Sequence, residues 1–191
     1  VAVLILLRHG RTGGNAAGLL QGRIDNPLDE VGIRQAQQVA AALGPVDEVI
    51  SSSLTRAVQT AAMFGMAPTI DDRWIELDYG ELDGRALGDV PAEAWTAWRS
   101  DPTFAPPGGE SMLAMDQRVR AAALDALELA RDRTVVVVSH VSPIKAAMSW
   151  ALGGDISMSW RCHLDQAGVC RIAAGPAGPI LRSFNEVLYQ R

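Results

Sequence analysis

The sequence predicts an α/β protein, a three-layer sandwich with a mostly parallel central sheet between helices. Three observations carry this expectation. Residues 1–7 and Thr134–Ser139 are continuous apolar runs rich in branched side chains, the pattern of strands buried on both faces. Stretches of helical periodicity alternate with the strand candidates, as in layered α/β chains. No repeat or linker divides the 191 residues, so one domain with a sizeable core is expected over 1–191.

Each element follows from local chemistry. Residues 1–7 form the first expected strand, 47–51 a shorter one, and 134–139 the strongest. Residues 169–174 and 180–184 read as two more, separated by Gly175-Pro176-Ala177-Gly178-Pro179, a turn signal. Val31, Ala36, Val39, Ala40 and Leu43 recur at helical spacing and stop at Gly44-Pro45. Residues 54–64 form a second helix. Residues 111–132 form a third, with Leu113, Val119, Ala123, Leu127 and Ala130 on or near one stripe. Ser142 and Pro143 suit the cap and first turn of a fourth helix, which reaches about Leu152. Residues 73–109 show little strand signal but carry Trp74, Trp95, Trp98 and several prolines. They are expected to be an insertion covering one end of the sheet, with the tryptophans packing its core.

Composition removes several function classes. Seventeen Lys and Arg against 22 Asp and Glu give a net charge of −5, which disfavours a broad cationic face for nucleic acid. A hydrophobic content of 48% excludes low-complexity disorder. The first apolar run is too short for a membrane span and lacks a basic leader. Cys162 and Cys170 match no zinc or redox spacing and read as reduced thiols of a cytoplasmic protein. Oligomeric state is open, a homodimer included.

Ligands of open α/β sheets sit beyond the carboxyl ends of the strands. Two of the three histidines fall there, His9 after the first strand and His140 after the strand at 134–139. Arg8, at the end of a buried strand, needs an anion or a carboxylate, because a lone buried guanidinium is very costly. Arg56, early in the helix after the short strand, adds a second cation on the same side. Two arginines and two imidazoles make a pocket suited to a phosphate dianion, with helix amides at residues 142–144 adding weak positive potential. His163 reads as a structural histidine ahead of the next strand. Ser139 adjoins His140 but lacks a nucleophile elbow.

These residues carry a family resemblance. Leu7-Arg8-His9-Gly10-Arg11-Thr12 with Asn15 is similar to the signature of the histidine phosphatase superfamily, the phosphoglycerate mutase-like proteins. The match continues in family order through Gln21-Gly22, Gly32-Ile33-Arg34-Gln35-Ala36, the run from Ser51 to Thr60, and Glu76 to Gly84. Pro107-Gly108-Gly109-Glu110-Ser111 and Val138-Ser139-His140 complete it. The resemblance implies that His9 is the nucleophile that accepts a phosphoryl group. It further implies that Arg8, Arg56 and His140 bind its oxygens and that Glu76 is the general acid, selected over Asp78, Glu81 and Asp83. Asn15 would be a supporting phosphate or substrate contact, as would Thr12 and Gln21. No cofactor and no metal are implied, since fixed cations can stabilise phosphoryl transfer.

Two departures from the family pattern stand out. Val141-Ser142-Pro143 follows the second histidine where many relatives carry two glycines, and Gly13-Gly14 replaces a bulkier pair before Asn15. Between Glu76 and Glu110 only Arg85 and Arg99 are cationic, which favours a phosphatase over a mutase that must hold a second anionic group. The expected function is hydrolysis of a small phosphorylated metabolite. The alternatives are a phosphoglycerate mutase and a non-catalytic module that binds phosphate-containing ligands. The segments 139–145 and 161–165 look most like a branch associated with α-ribazole phosphate phosphatase.

Overall fold

A six-stranded mixed sheet organises the chain, seen in a computed structural model that describes residues 2–190. In chain order the elements begin with β1 (Val3–Arg8), α1 (Gly13–Ala16), α2 (Glu30–Leu43), β2 (Glu48–Ser51), α3 (Thr55–Ala61) and β3 (Thr69–Ile70). They continue with α4 (Ala92–Ser100), α5 (Met112–Leu129), β4 (Thr134–Ser139), α6 (Val141–Ala151), β5 (Val169–Gly175) and β6 (Gly178–Glu186). The strand order is β3-β2-β4-β1-β5-β6. The first four strands in that order are parallel, and β5 and β6 join antiparallel at one edge. Val1, the first residue of the expected opening strand, lies outside the described residues.

The continuous apolar runs are explained by two cores, one on each face. Leu4 and Leu6 of β1 and Val135 and Val137 of β4 point into a core with α5 and α6. Ile5 and Leu7 with Val136 and Val138 point the other way, onto α2 and α3 through Val39, Ala57 and Ala61. Side chains alternate across a strand, so a strand covered on both faces must be apolar at every position. The helices on either side make the three layers.

Local chemistry sets the helix ends. Asp29 caps α2 by accepting from the Gly32 amide, and Ser111 caps α5 by accepting from Ala114. The buried face of α5 is made by Met112, Met115, Val119, Ala122, Ala123 and Ala126, whereas Leu113, expected on the stripe, is exposed. The expected cap at Ser142 is displaced. His140 is the N-cap, extended at φ −128° and ψ 179°, and Val141 begins the helix. The chain therefore passes from β4 into α6 across one residue, and Pro143 sits within the first turn, where a missing amide costs little.

The segment 73–109 contains α4 and the short 3₁₀ turns Gly80–Leu82 and Leu87–Asp89, none of which hydrophobic periodicity had indicated. Its tryptophans divide. Trp74 and Trp98 are buried in the α5/α6 core, while Trp95 is half-buried and packs against both Trp98 and Trp160.

Candidate active site

Strand register brings the two histidines together. β1 and β4 are parallel neighbours with Arg8 opposite Ser139, so the residues that follow, His9 and His140, leave the sheet side by side. Their ring centroids are 5.1 Å apart. The His9 amide also donates to the Ser139 carbonyl at 3.0 Å, extending the ladder by one step. The loop after His9 is pressed against the start of α2, where a Cβ on Gly10 would stand 2.3 Å from the Gly32 carbonyl oxygen.

The His9 ring has one nitrogen committed and one available. Nδ1 lies 2.7 Å from the Gly10 carbonyl oxygen and can only donate to it, which leaves the lone pair on Nε2. Burial, followed by the Arg8 and Arg56 charges, holds the His9 imidazole well below its ordinary pKa. His140 is lowered in the same direction by burial, then by His9, Arg56 and Arg8. Its Nε2 is 2.7 Å from the Ser52 hydroxyl at the end of β2, and its buried Nδ1 has no partner. Both rings are therefore held in the neutral form, and Nε2 of His9 keeps a free lone pair.

Arg8 and Arg56 are buried cations held only by backbone carbonyls. Arg8 Nη1 donates to Leu164 O at 2.6 Å; Arg56 Nη1 and Nη2 donate to Ile24 O at 2.8 Å and Gly22 O at 2.7 Å. Among the described residues neither forms an ion pair, and the Nε of each is buried without a partner. Burial pushes the Arg8 guanidinium down to about 10 and lowers Arg56 too. Glu76 and Asp165 act on Arg8, and Glu76, Asp25 and Asp83 on Arg56, without touching them. A desolvated guanidinium with no anion in contact is costly on the order of several kcal/mol, so the pair suits an incoming anion.

Geometry also separates the four candidate acids. Glu76 is buried, with Oε1 accepting from the Leu77 amide at 2.7 Å and Oε2 facing the Ser142 amide at 3.4 Å. That amide, expected to contribute to an anion site, is directed at this carboxylate. Asp78 accepts from the Gly80 amide, and Glu81 is exposed. Asp83 accepts from the amides of Gly22, Arg23 and Ile24 at 2.7–2.9 Å. It thus braces the turn whose carbonyls hold Arg56. Only Glu76 lies against the first turn of α6, directly after His140.

Thr12, Asn15 and Gln21 form one cluster. Thr12 Oγ1 caps α1 by accepting from the Asn15 amide, and Asn15 Oδ1 accepts from the Thr12 amide, each at 3.1 Å. Thr12 Oγ1 also lies 2.9 Å from Gln21 Oε1, leaving Gln21 Nε2 buried and unpartnered. Of the glycine pair before Asn15, Gly14 has a steric reason, since a Cβ there would stand 2.6 Å from Gln21 Cδ, whereas a Cβ on Gly13 would meet open space. Two other sequence candidates stay outside. His163 is exposed beside Asp165 at 3.4 Å, so it fills no structural position ahead of β5. Ser139 donates to the Trp74 carbonyl at 2.6 Å.

Sequence reasoning missed several contributors. Ser52 orients His140, and Asp83 supports Arg56. Arg118 donates to the carbonyls of Arg73 and Ile75 at 2.8 Å and pairs with Glu110 at 2.8 Å, clamping the chain that carries Glu76. The Glu110 block is visible in the sequence, but its pairing with Arg118, eight residues on, is made only by the fold. Next to Glu76 a recess of about 100 Å³ is lined by Leu77, Tyr79, Trp95, Trp98, Ser142 and Lys145, among others. Lys145 stands one helical turn beyond Val141, a signal available from spacing alone.

Comparison with known proteins places the chain in a family. Residues 4–187 match the model of the histidine phosphatase superfamily (branch 1). The chain spans about half the length (48%) of longer mycobacterial relatives, to which it is 35% identical over 87% of its own residues. It is 35% identical to the glucosyl-3-phosphoglycerate phosphatase of Mycobacterium tuberculosis, covering 82% of each chain. The structure of a phosphoserine phosphatase variant from Entamoeba histolytica bound to phosphoserine superposes with a TM-score of 0.89 at 27% identity, covering 98% of each chain. A protein assigned as an α-ribazole-5′-P phosphatase from Escherichia coli superposes at 0.84 with 28% identity, covering 100% of this chain and 99% of the other. No helix among the described residues is long and apolar enough to cross a membrane.

Proposed function

The chain belongs to the histidine phosphatase superfamily, and from that premise we propose that it hydrolyses a small phosphorylated metabolite through a phosphohistidine at His9, without a metal. One observation carries the reading. Two buried arginines, each held by backbone carbonyls with no carboxylate in contact, stand with a neutral imidazole whose Nε2 is unencumbered.

In the first displacement, His9 Nε2 attacks phosphorus while the ester oxygen departs in line. Arg8, Arg56 and His140 hold the equatorial oxygens, where negative charge grows in the transition state. Gln21 Nε2 is a further donor for the substrate, with Thr12 and Asn15 fixing its position. The departing alkoxide takes its proton from Glu76. In the second displacement the Glu76 carboxylate removes a proton from water, whose oxygen attacks phosphorus and releases phosphate from His9. Each group then returns to its starting state.

Rapid quench during turnover of p-nitrophenyl phosphate in the presence of EDTA tests this directly. An acid-labile, base-stable phosphoryl adduct on His9 is expected. Steady hydrolysis without that adduct, or an absolute need for added metal, would overturn the mechanism. Incubation with 3-phosphoglycerate and 2,3-bisphosphoglycerate should release phosphate rather than interconvert isomers, which separates a phosphatase from a mutase. Relatives that act on phosphoserine and glucosyl-3-phosphoglycerate support the monoesterase reading.

A further inference from the structure

The recess beside Glu76 contains an unpartnered amine. Lys145 is the only lysine in the sequence; every other cation is arginine. It is half-buried in α6, one turn beyond the Val141–Ser142 start that faces Glu76, and lines the recess with Tyr79, Trp95, Trp98 and Trp160. Among the described residues its amine makes no ion pair and no hydrogen bond. Its electrostatic neighbours are Cys162, Arg8 and Glu76, and burial lowers its pKa.

The position matters because Glu76 protonates the leaving oxygen in the proposed mechanism, so the rest of the alcohol must emerge on the Glu76 side. A half-desolvated ammonium there gains from an anionic partner that water no longer fully replaces. The recess supplies one cation, with Tyr79 OH and Ser142 Oγ 3.3 Å apart as neutral polar groups. Arg99 is engaged at the rim over the Trp160 ring, 5.6 Å from its centroid. One ammonium suits a monoanion and leaves a second phosphate dianion under-neutralised. The indole walls exclude water and suit a short alkyl link between the two charges.

We infer that Lys145 is a specificity residue that binds a carboxylate on the alcohol portion of the substrate, so that the preferred substrates are short phosphorylated hydroxy acids. The inference deepens the phosphomonoesterase reading and rests on it. The paired probes are 3-(phosphonooxy)propanoate and its uncharged amide. Wild-type protein should prefer the acid in kcat/KM. Lys145→Met should lower the acid-to-amide ratio about tenfold or more through KM, and Lys145→Arg should restore part of it. An unchanged ratio in Lys145→Met would overturn the assignment.

A second measurement is independent of turnover. Reductive ¹³C-methylation yields a single ε-dimethylamine resonance from this sequence, because it has one lysine. In the non-turning-over His9→Ala protein that resonance should shift on titration with the acid and stay still with the amide; no shift with the acid overturns the inference. Hydrolysis of neither ester by wild type, with the shift intact, would fail the phosphatase reading and keep Lys145 as a carboxylate ligand. Hydrolysis of both esters with equal efficiency would do the reverse.

Discussion

At the proposed phosphoryl end, His9 and His140 follow neighbouring parallel strands, and their 5.1 Å separation is a consequence of hydrogen-bond register. At the proposed alcohol end, Trp95 and Trp98 of α4, Lys145 of α6 and Trp160 of the 3₁₀ turn Ile156–Arg161 meet only by packing. The first region is held by backbone ladders on both sides, and each of its charged groups is braced by carbonyls. The second is a wall of edge-on and tilted aromatic contacts with ring centroids 5.4–6.4 Å apart. In the proposed reading, chemistry common to all phosphate esters sits at the carboxyl ends of the two central strands, and discrimination among alcohols sits on side chains outside the sheet.

The largest test of that division is His9→Ala, expected to reduce turnover by about 10⁴-fold or more in stopped assays of phosphate release, with the fold retained by circular dichroism. Residual activity within about tenfold of wild type would remove the nucleophile from the end of β1. Glu76→Gln, at the border of the two regions, should slow an alkyl phosphate about 10²–10⁴-fold and p-nitrophenyl phosphate far less, because only the poor leaving group needs its proton. Equal losses on both esters would take Glu76 out of the acid role.

In the aromatic wall, Trp98→Ala should cost about 3–5 kcal/mol in urea unfolding, since the indole is 2% exposed and packs on Tyr79, Trp95 and Phe104. A cost below about 1 kcal/mol would show that the recess can collapse around the lost ring.

The smallest effect is that of pH on the two strand-end histidines. His9 and His140 have depressed pKa values in the folded protein, so below the ordinary value of 6.5 the unfolded chain binds protons that the native chain refuses. Stability is then full above about pH 6.5 and falls with decreasing pH, by up to about 1.4 kcal/mol per imidazole per pH unit. Urea midpoints at pH 7.5, 6.5 and 5.5 should decline in that order. His9→Ala should flatten the decline; the same slope in wild type and variant would mean that His9 titrates normally.

Much of this could be read without coordinates, for identifiable reasons. A strand buried on both faces must be apolar throughout, so β1 and β4 were visible as uninterrupted runs, and β4 was bounded at Thr134–Ser139. Arg8, His9 and His140 were conspicuous as polar residues at the ends of those runs. Helix α4 was obscured because a nine-residue helix in a proline- and tryptophan-rich segment carries little periodicity of its own. The cap of α6 was misplaced because Ser142-Pro143 suits a helix start, whereas the strand end already leaves His140 extended.

What the sequence determined by itself is the layered architecture and the residues at the strand ends, because alternation, runs and turn signals are properties of neighbours along the chain. What tertiary structure decided is how those residues are used. It directed Asp83 to brace the Arg56 turn, gave Ser52 to His140 and placed Lys145 in an indole-walled recess. Those outcomes depend on distances between segments dozens of residues apart, set by strand register and side-chain packing, and no local pattern encodes them.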